Sequence, residues 1–372
     1  MNRRINPRQA VVLLLVLVMG VLHAASQAVC DYEPPESRIS DLGLQGSFTW
    51  YDGPYADDRM RAISATLMAD YTGMMSTAGF GQMLDARTEV RGSGEGWTAN
   101  LDGSGSILAF FADDWFGIGA MGLDVSSSSG VEIDLTGGVG AGRFRDVTPL
   151  ALAIRIQNEL LDLGELLAPV SNETLRELAQ ILGEIGPSDD EKIVRLADRW
   201  VATELVPGDE LGIRGLLAME SILSGDGESR LCGSDLQARI GASARFAPEF
   251  RVSATAVLLA RYAAVPDPVS QFDSSAEARI RLAQPEEMRI NADLTYTRRL
   301  PDGWTARAEY RLSVDRMWTD PVATSLSHAL SGSLTTQILG LVGLSVVGDL
   351  LYETGDEELT LSVSLFLEAD LF

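Results

Sequence analysis

The chain has 372 residues, enough for one large domain or two ordinary ones, and its 46% hydrophobic content is that of a packed protein rather than a disordered one. Fifty-three acidic residues oppose 29 basic ones, a net charge of -24, and Lys192 is the only lysine. An exterior of that sign repels phosphate, which excludes nucleic-acid binding through a basic surface.

Residues 1–28 read as a secretory signal. Arg3, Arg4 and Arg8 precede an apolar run over 10–22, and the small residues Ala24, Ala25, Ser26 and Ala28 follow it. The run falls short of the roughly twenty residues that a membrane-spanning helix needs, so export with cleavage near Ala28 is expected. Cys30 comes next, but Gln27, Ala28 and Val29 make a poor lipid-attachment motif.

Residues 29–146 hold six candidate strands, over 41–50, 62–72, 84–91, 97–110, 116–125 and 131–143. Their expected polar face carries Asp102, Asp124, Glu132 and Asp134. Gly138, Gly140 and Gly142 lack the spacing and the βαβ setting of a phosphate loop and read instead as relief of crowding at a strand end.

Residues 147–230 change period. Thr148 and Pro149 form an N-cap and first-turn pair for a helix over 150–167, and Ser171 opens a second helix with Leu175, Leu178, Ile181, Leu182 and Ile185 at helical spacing. Gly186 and Pro187 end it. Ser188 to Glu191 reads as a capping box for a third helix through Trp200, and 211–223 as a fourth. Charged faces keep these helices out of lipid, and about eighty residues make a small subdomain rather than a loop.

Residues 231–372 return to strands, over 235–246, 251–262, 275–282, 289–300, 304–314, 325–338, 342–352 and 359–372. From Leu236 to Tyr352 the apolar side chains fall on even numbers and the polar ones on odd numbers. Over 289–300, for example, Ile290, Ala292, Leu294 and Tyr296 alternate with Arg289, Asn291, Asp293 and Thr295. Because alternate side chains of a strand point to opposite faces, this parity means long antiparallel strands with one oily and one wet surface. Pro301, Asp302 and Gly303 make a three-residue loop that pairs Leu300 with Trp304 and preserves the parity.

An exported chain built of alternating segments of ten residues or more is a soluble sandwich or a membrane barrel. Strand length and aromatics near strand ends (Trp304, Trp318, Tyr296, Tyr352) favour the barrel. The expected fold is therefore an all-β transmembrane antiparallel β-barrel of about 14 strands, with the helical segment inserted on the periplasmic side. Six crossings return an exported N-terminus to the periplasm, and eight more leave the C-terminus there.

The C-terminus resembles that of Gram-negative outer-membrane β-barrel proteins, the porin-like class. Leu359, Leu361, Val363, Leu365, Leu367, Ala369 and Leu371 alternate with mostly polar residues, and the chain ends on the aromatic Phe372, one place out of step with that set. The resemblance implies residence in the outer membrane, contact with its lipid, and assembly by the barrel-assembly machinery.

Chemistry is sparse. The mature chain keeps one histidine, His328, whose parity puts it on the oily face with Leu326 and Leu330, so no catalytic residues are assigned and an enzyme is not expected. One histidine and two distant cysteines supply no zinc site, and no metal or cofactor is expected. Cys30 and Cys232 would both be periplasmic, where a disulfide can form. Reach is the obstacle, since the tail of about eight residues after Cys30 spans at most roughly 27 Å.

The wet face of the second half carries Arg239, Arg245, Arg251, Arg261, Arg279, Arg281, Arg289, Arg299, Arg307 and Arg311. Set against the acidic first half, these make a basic pore wall facing an acidic one, as in a passive channel for small solutes or ions with some anion preference. Glu277, Asp293, Glu309 and Asp315 lie among the arginines, so a second reading is a lumen of stabilising ion-pair ladders. The corresponding function is a structural or assembly barrel whose helical insert docks a periplasmic protein partner.

Overall fold

The computed structural model describes residues 27–369 apart from short segments at 35, 56–57, 94–95, 113, 128–129, 185, 225–228, 247–249, 282–286, 301–302, 319–322, 339–341 and 354–358. Residues 1–26 of the expected signal segment 1–28, and Phe372, lie outside the described residues. The chain divides into two compact units. One gathers the described parts of Met1–Pro34, Phe144–Gly233 and Ala263–Phe272, the other those of Pro35–Arg143, Ser234–Tyr262 and Asp273–Phe372. The helical unit thus draws in more chain than 147–230, adding the segment around Cys30 and the turn around Pro266.

The second unit is a single antiparallel meander. Its strands are β1 (Ser37–Tyr55), β2 (Asp58–Ser76), β3 (Phe80–Ser93), β4 (Gly96–Ala112), β5 (Trp115–Ser126) and β6 (Gly130–Asp146). After the helices come β7 (Leu231–Arg245), β8 (Arg251–Ala264), β9 (Ser270–Arg281), β10 (Glu287–Arg299) and β11 (Trp304–Met317). The last are β12 (Ala323–Ile338), β13 (Val342–Glu353) and β14 (Leu359–Ala369). Every strand is hydrogen-bonded to its neighbours in sequence, from β1 through β14. The sheet is not closed, since no ladder joins β1 to β14 among the described residues.

Strands of 11 to 19 residues are two to three times the usual globular length of about five or six. In the first half they outrun their sequence signal. β2 extends the expected 62–72 by four residues at each end, because the ladder continues through Tyr55↔Asp58 and Ser37↔Ser76, where the local sequence is not strand-like. At the β10–β11 hairpin the Leu300 N–H donates to the Trp304 carbonyl at 2.6 Å, and Gly303 takes φ 76°. That hairpin fixes the register Arg289↔Asp315, Asp293↔Arg311 and Thr297↔Arg307.

The sheet is inside out by the standards of a water-soluble protein. On the even face of β7 and β8, Leu236 is 61% and Ile240 74% exposed, with Val252 and Leu258 also exposed. On the odd face Asp235, Gln237, Ser243 and Thr255 are buried. Gly138, Gly140 and Gly142 lie on the inner face of β6, where its backbone meets that of β7. A Cβ at Gly138 would collide with the Ala238 carbonyl oxygen, one at Gly142 with that of Ser234, and one at Gly241 with that of Leu135. These glycines permit an approach that no side chain would allow.

The helical unit is packed the ordinary way. It contains α1 (Gln27–Cys30), α2 (Thr148–Asp162), α3 (Asn172–Gly183), α4 (Asp189–Val201) and α5 (Ile213–Ser224). Ser171 caps α3 by accepting from the Thr174 N–H at 3.2 Å, and Ser188 caps α4 by accepting from Glu191 at 3.3 Å. Three acids open α4 and Arg199 closes it, in the sense the helix dipole favours. Lys192 donates to the Leu182 carbonyl at 3.0 Å, satisfying the C-terminal turn of α3.

Two local expectations are corrected. Thr148 is not the N-cap of α2, since its Oγ1 accepts from the Arg230 N–H at 2.7 Å and Val147 occupies the cap position without a side-chain bond. The first helix stops at Asp162 rather than 167, where Gly164 turns the chain with φ 71°. The core comprises Leu150, Ile156, Leu160, Leu178, Leu196, Trp200 and Met219, with Val29, Tyr32 and Val265 packed into it. Cys30 and Cys232 are joined as a disulfide, with Cα atoms 5.2 Å apart. Reach is no obstacle because the tail after Cys30 begins inside this core and not at a strand end.

Candidate functional site

Among the described residues, charged groups of many strands converge on the polar face of the sheet. Antiparallel register sets up the first row. Arg87 of β3 stands opposite Asp102 of β4, Asp102 opposite Asp124 of β5, and Asp124 opposite Glu132 of β6. Because directly opposed residues share a face, the four side chains form one line across four strands.

Glu132 ends that line and is heavily engaged. It accepts from the Ser243 hydroxyl at 2.9 Å, from Arg245 Nε at 3.0 Å and Nη2 at 2.6 Å, and from Arg281 of β9. Arg281 also lies 3.4 Å from Glu287. Two residues along β6, Asp134 accepts from Arg279 of β9 at 2.9 Å. Arg279 also donates to Glu277 at 3.1 Å, and Glu277 lies 3.7 Å from Arg239. Arg261 of β8 grips Asp235 through both ends of its guanidinium, with Nε at 3.0 Å, and lies 3.0 Å from the Met83 sulfur of β3.

The later strands repeat the motif. Arg289 donates to Asp315 at 2.6 Å and to Glu287 at 3.2 Å, Arg311 lies 3.4 Å from Asp293 and bonds Glu309, and Arg307 lies 3.4 Å from Glu309. Arg251 is exposed at the start of β8, and Arg299 ends β10 opposite Thr305. Glu132 and Asp134 of the acidic set therefore touch the basic one, and charges in direct contact largely cancel each other's field at a distance, whereas Asp102 and Asp124 stand side by side as like charges.

Between the rows lies a cavity of about 240 Å³, lined from β3 through β9. Three carboxylates (Asp85, Asp134, Glu277) and three guanidiniums (Arg239, Arg261, Arg279) line it, with Gln237 and Thr255. The sequence pattern did not single out Asp85, Gln237 or Thr255, although alternation along their strands puts all three on the wet face. Beyond the cavity the inner face of β4 and β5 turns apolar, where Leu108, Phe116 and Ile118 are buried and Arg143 stacks 3.9 Å over Phe110. That apolar end was also unforeseen, since it shares parity with Asp102 and Asp124.

His328 stands opposite Leu312 of β11 and Tyr352 of β13, with Nδ1 2.6 Å from the Tyr310 hydroxyl. Among the described residues no three His, Cys, Asp or Glu side chains are placed to hold a metal ion.

No protein-family model and no curated relative matches the chain. The solved structures similar to it include OmpT of Vibrio cholerae with loop L8 deleted, an outer membrane protein (6% identity, 90% of this chain and 100% of that one, TM-score 0.36). A bacterial polysaccharide outer membrane secretin is 9% identical over 91% of this chain and 100% of that one, with a TM-score of 0.34. The β domain of the Bordetella autotransporter Brka is 8% identical over 91% and 100%, with a TM-score of 0.27. At these values none of their individual properties carries over to this chain.

Proposed function

We propose that the protein is an outer-membrane β-barrel that anchors its disulfide-locked helical unit in the periplasm as a docking module, and that it is not an enzyme. The exposed apolar face of the sheet supports the membrane setting, where β1 and β14, which approach each other, would pair to satisfy every backbone group. The even number of strands before the insert, six, and after it, eight, supports the reading of a periplasmic insert. The observation that carries the anchor reading over a passive channel is the bonding of the β6 carboxylates to the β9 arginines, through Glu132–Arg281 and Asp134–Arg279. Arginines already paired in this way offer passing anions little.

Planar-bilayer recording of the purified full chain tests this. The expected record has no large ohmic steps and no anion selectivity. Stable anion-selective openings in the unmodified protein would overturn the anchor reading in favour of a channel.

A further inference from the structure

Four groups lining the 240 Å³ cavity hold a buried polar atom with no hydrogen-bond partner among the described residues: Asp134 Oδ1, Gln237 Oε1, Thr255 Oγ1 and Arg239 Nε. Such atoms are rare in folded proteins, and each costs about 1–3 kcal/mol when left unmade. Four around one space mark it as built for an occupant.

Their chemistry defines that occupant. Gln237 donates its Nε2 to Asp235 at 2.8 Å, and Asp235, bound by Arg261, can only accept, so the amide is fixed with its oxygen as the free acceptor. Asp134 spends Oδ2 on Arg279, which leaves Oδ1 as a second acceptor. Thr255 can give or take a proton, and Arg239 Nε only gives. The site therefore asks for a molecule rich in donors that also accepts, which is the profile of hydroxyl groups.

Charge narrows the class further. Arg261 is already spent on Asp235, and Arg239 and Arg279 on Glu277 and Asp134, so an anionic ligand would find no unpaired cation in a poorly solvated interior. Val257, Leu259 and Met83 supply an apolar flank for C–H groups. The volume lies below the roughly 300–1,000 Å³ of drug-sized sites, which limits the ligand to a handful of heavy atoms. We infer that the cavity binds a small neutral polyhydroxylated solute, a polyol or monosaccharide. The inference goes beyond the anchor reading and does not depend on it, since a site can hold a solute whether or not the solute crosses.

The test is calorimetric titration and saturation-transfer NMR on the refolded full chain in detergent, with xylitol and glucose as probes. Glycine betaine, which has no donor, and sodium chloride serve as comparators. Fold is checked by heat-modifiable gel mobility. Saturable binding of at least one polyol is expected, weakened about tenfold by Gln237→Leu and severalfold by Thr255→Val, the loss of one hydrogen bond each. Ala120→Leu, which fills the space without touching a polar group, abolishes binding, and Arg307→Gln, outside the cavity, leaves it unchanged. Absence of saturable binding, equal binding of betaine, or polyol binding unaltered in both Gln237→Leu and Ala120→Leu would overturn the inference. Bilayer conductance plays no part in the readout, so this proposal and the anchor reading fail separately.

Discussion

The helical unit and the sheet unit sort the same residue types in opposite directions. In the helices Trp200, Leu178 and Leu196 are buried and Glu184, Arg195 and Glu177 face water. In the sheet Ile240 is 74% and Leu236 61% exposed, while Gln237 is 2% exposed and Arg239 and Asp235 turn inward. Single apolar side chains are exposed in the helical unit too, Leu167 at 69% and Ile213 at 76%, but in the sheet exposure follows one face strand after strand. Burial of apolar area drives packing only where the alternative is water, so the inversion supports the reading that hydrocarbon surrounds the sheet.

Truncating the helical core gives the largest expected effect. Trp200→Ala should cost the helical unit about 3–5 kcal/mol in urea titrations followed by helical circular dichroism, while heat-modifiable mobility of the barrel is retained. Trp200→Phe sharpens the result. The Trp200 Nε1 has no acceptor among the described residues, so Phe fills most of the volume and removes an unmet donor, and its cost should be well below that of Ala. Simultaneous loss of barrel mobility in Trp200→Ala would show the two units to be one cooperative body.

Substitution on the oily face of the sheet comes next. Ile240→Arg should cost about 2–4 kcal/mol in lipid vesicles if the residue lies near the bilayer midplane, measured by reversible denaturant unfolding. In a water-exposed sheet the same change would be close to neutral, and that outcome breaks the comparison. Cys232→Ser is expected to lower the helical unit's stability by about 2–4 kcal/mol, since the bond closes a separation of 202 residues, with no effect on the sheet. Reduction of the unmodified protein should reproduce the loss.

The two units also differ in how far the sequence discloses them. Parity placed Gln237, Arg239 and Ile240 on their correct faces, because a strand's period of two is a local property. The turn at Gly303 even sets which residues oppose, and through it Arg289 meets Asp315. What parity cannot carry is the pairing of strands that are not neighbours. Glu132 with Arg281, and Asp134 with Arg279, join β6 to β9 across two intervening strands, and that depends on how the sheet curves. The choice between a charged pore wall and ion-pair ladders turned on those bonds, so the sequence left it open. In the helices Ser171 and Ser188 were legible as caps, whereas Thr148 was misread because its hydroxyl is engaged by Arg230, 82 residues on. Local capping logic holds until a distant backbone group competes for the same oxygen.

The smallest effect is electrostatic and confined to the helical unit. Arg195 donates to Glu184 at 2.7 Å, and this hydrogen bonding, with the charges of Arg195 and Lys192, holds the Glu184 carboxyl below the usual carboxylate range. A folded pKa below the unfolded one gives stability that is complete above the ordinary glutamate range and declines as pH falls through the folded value. Tyr32 acts at the other extreme. Burial, and then the charge of Asp146, raises its hydroxyl above 10.0, so its contribution is complete below that pH and is lost as pH rises through the folded value. Glu184→Gln should therefore flatten only the acid limb of the helical unit's stability profile, and Tyr32→Phe only the alkaline limb. Because the Glu184–Arg195 pair is solvent-exposed, added salt should shrink the acid difference towards nothing. The Tyr32 difference should persist in salt, since its main cause is desolvation, and a salt-sensitive alkaline limb would place that hydroxyl in water rather than in the helical core.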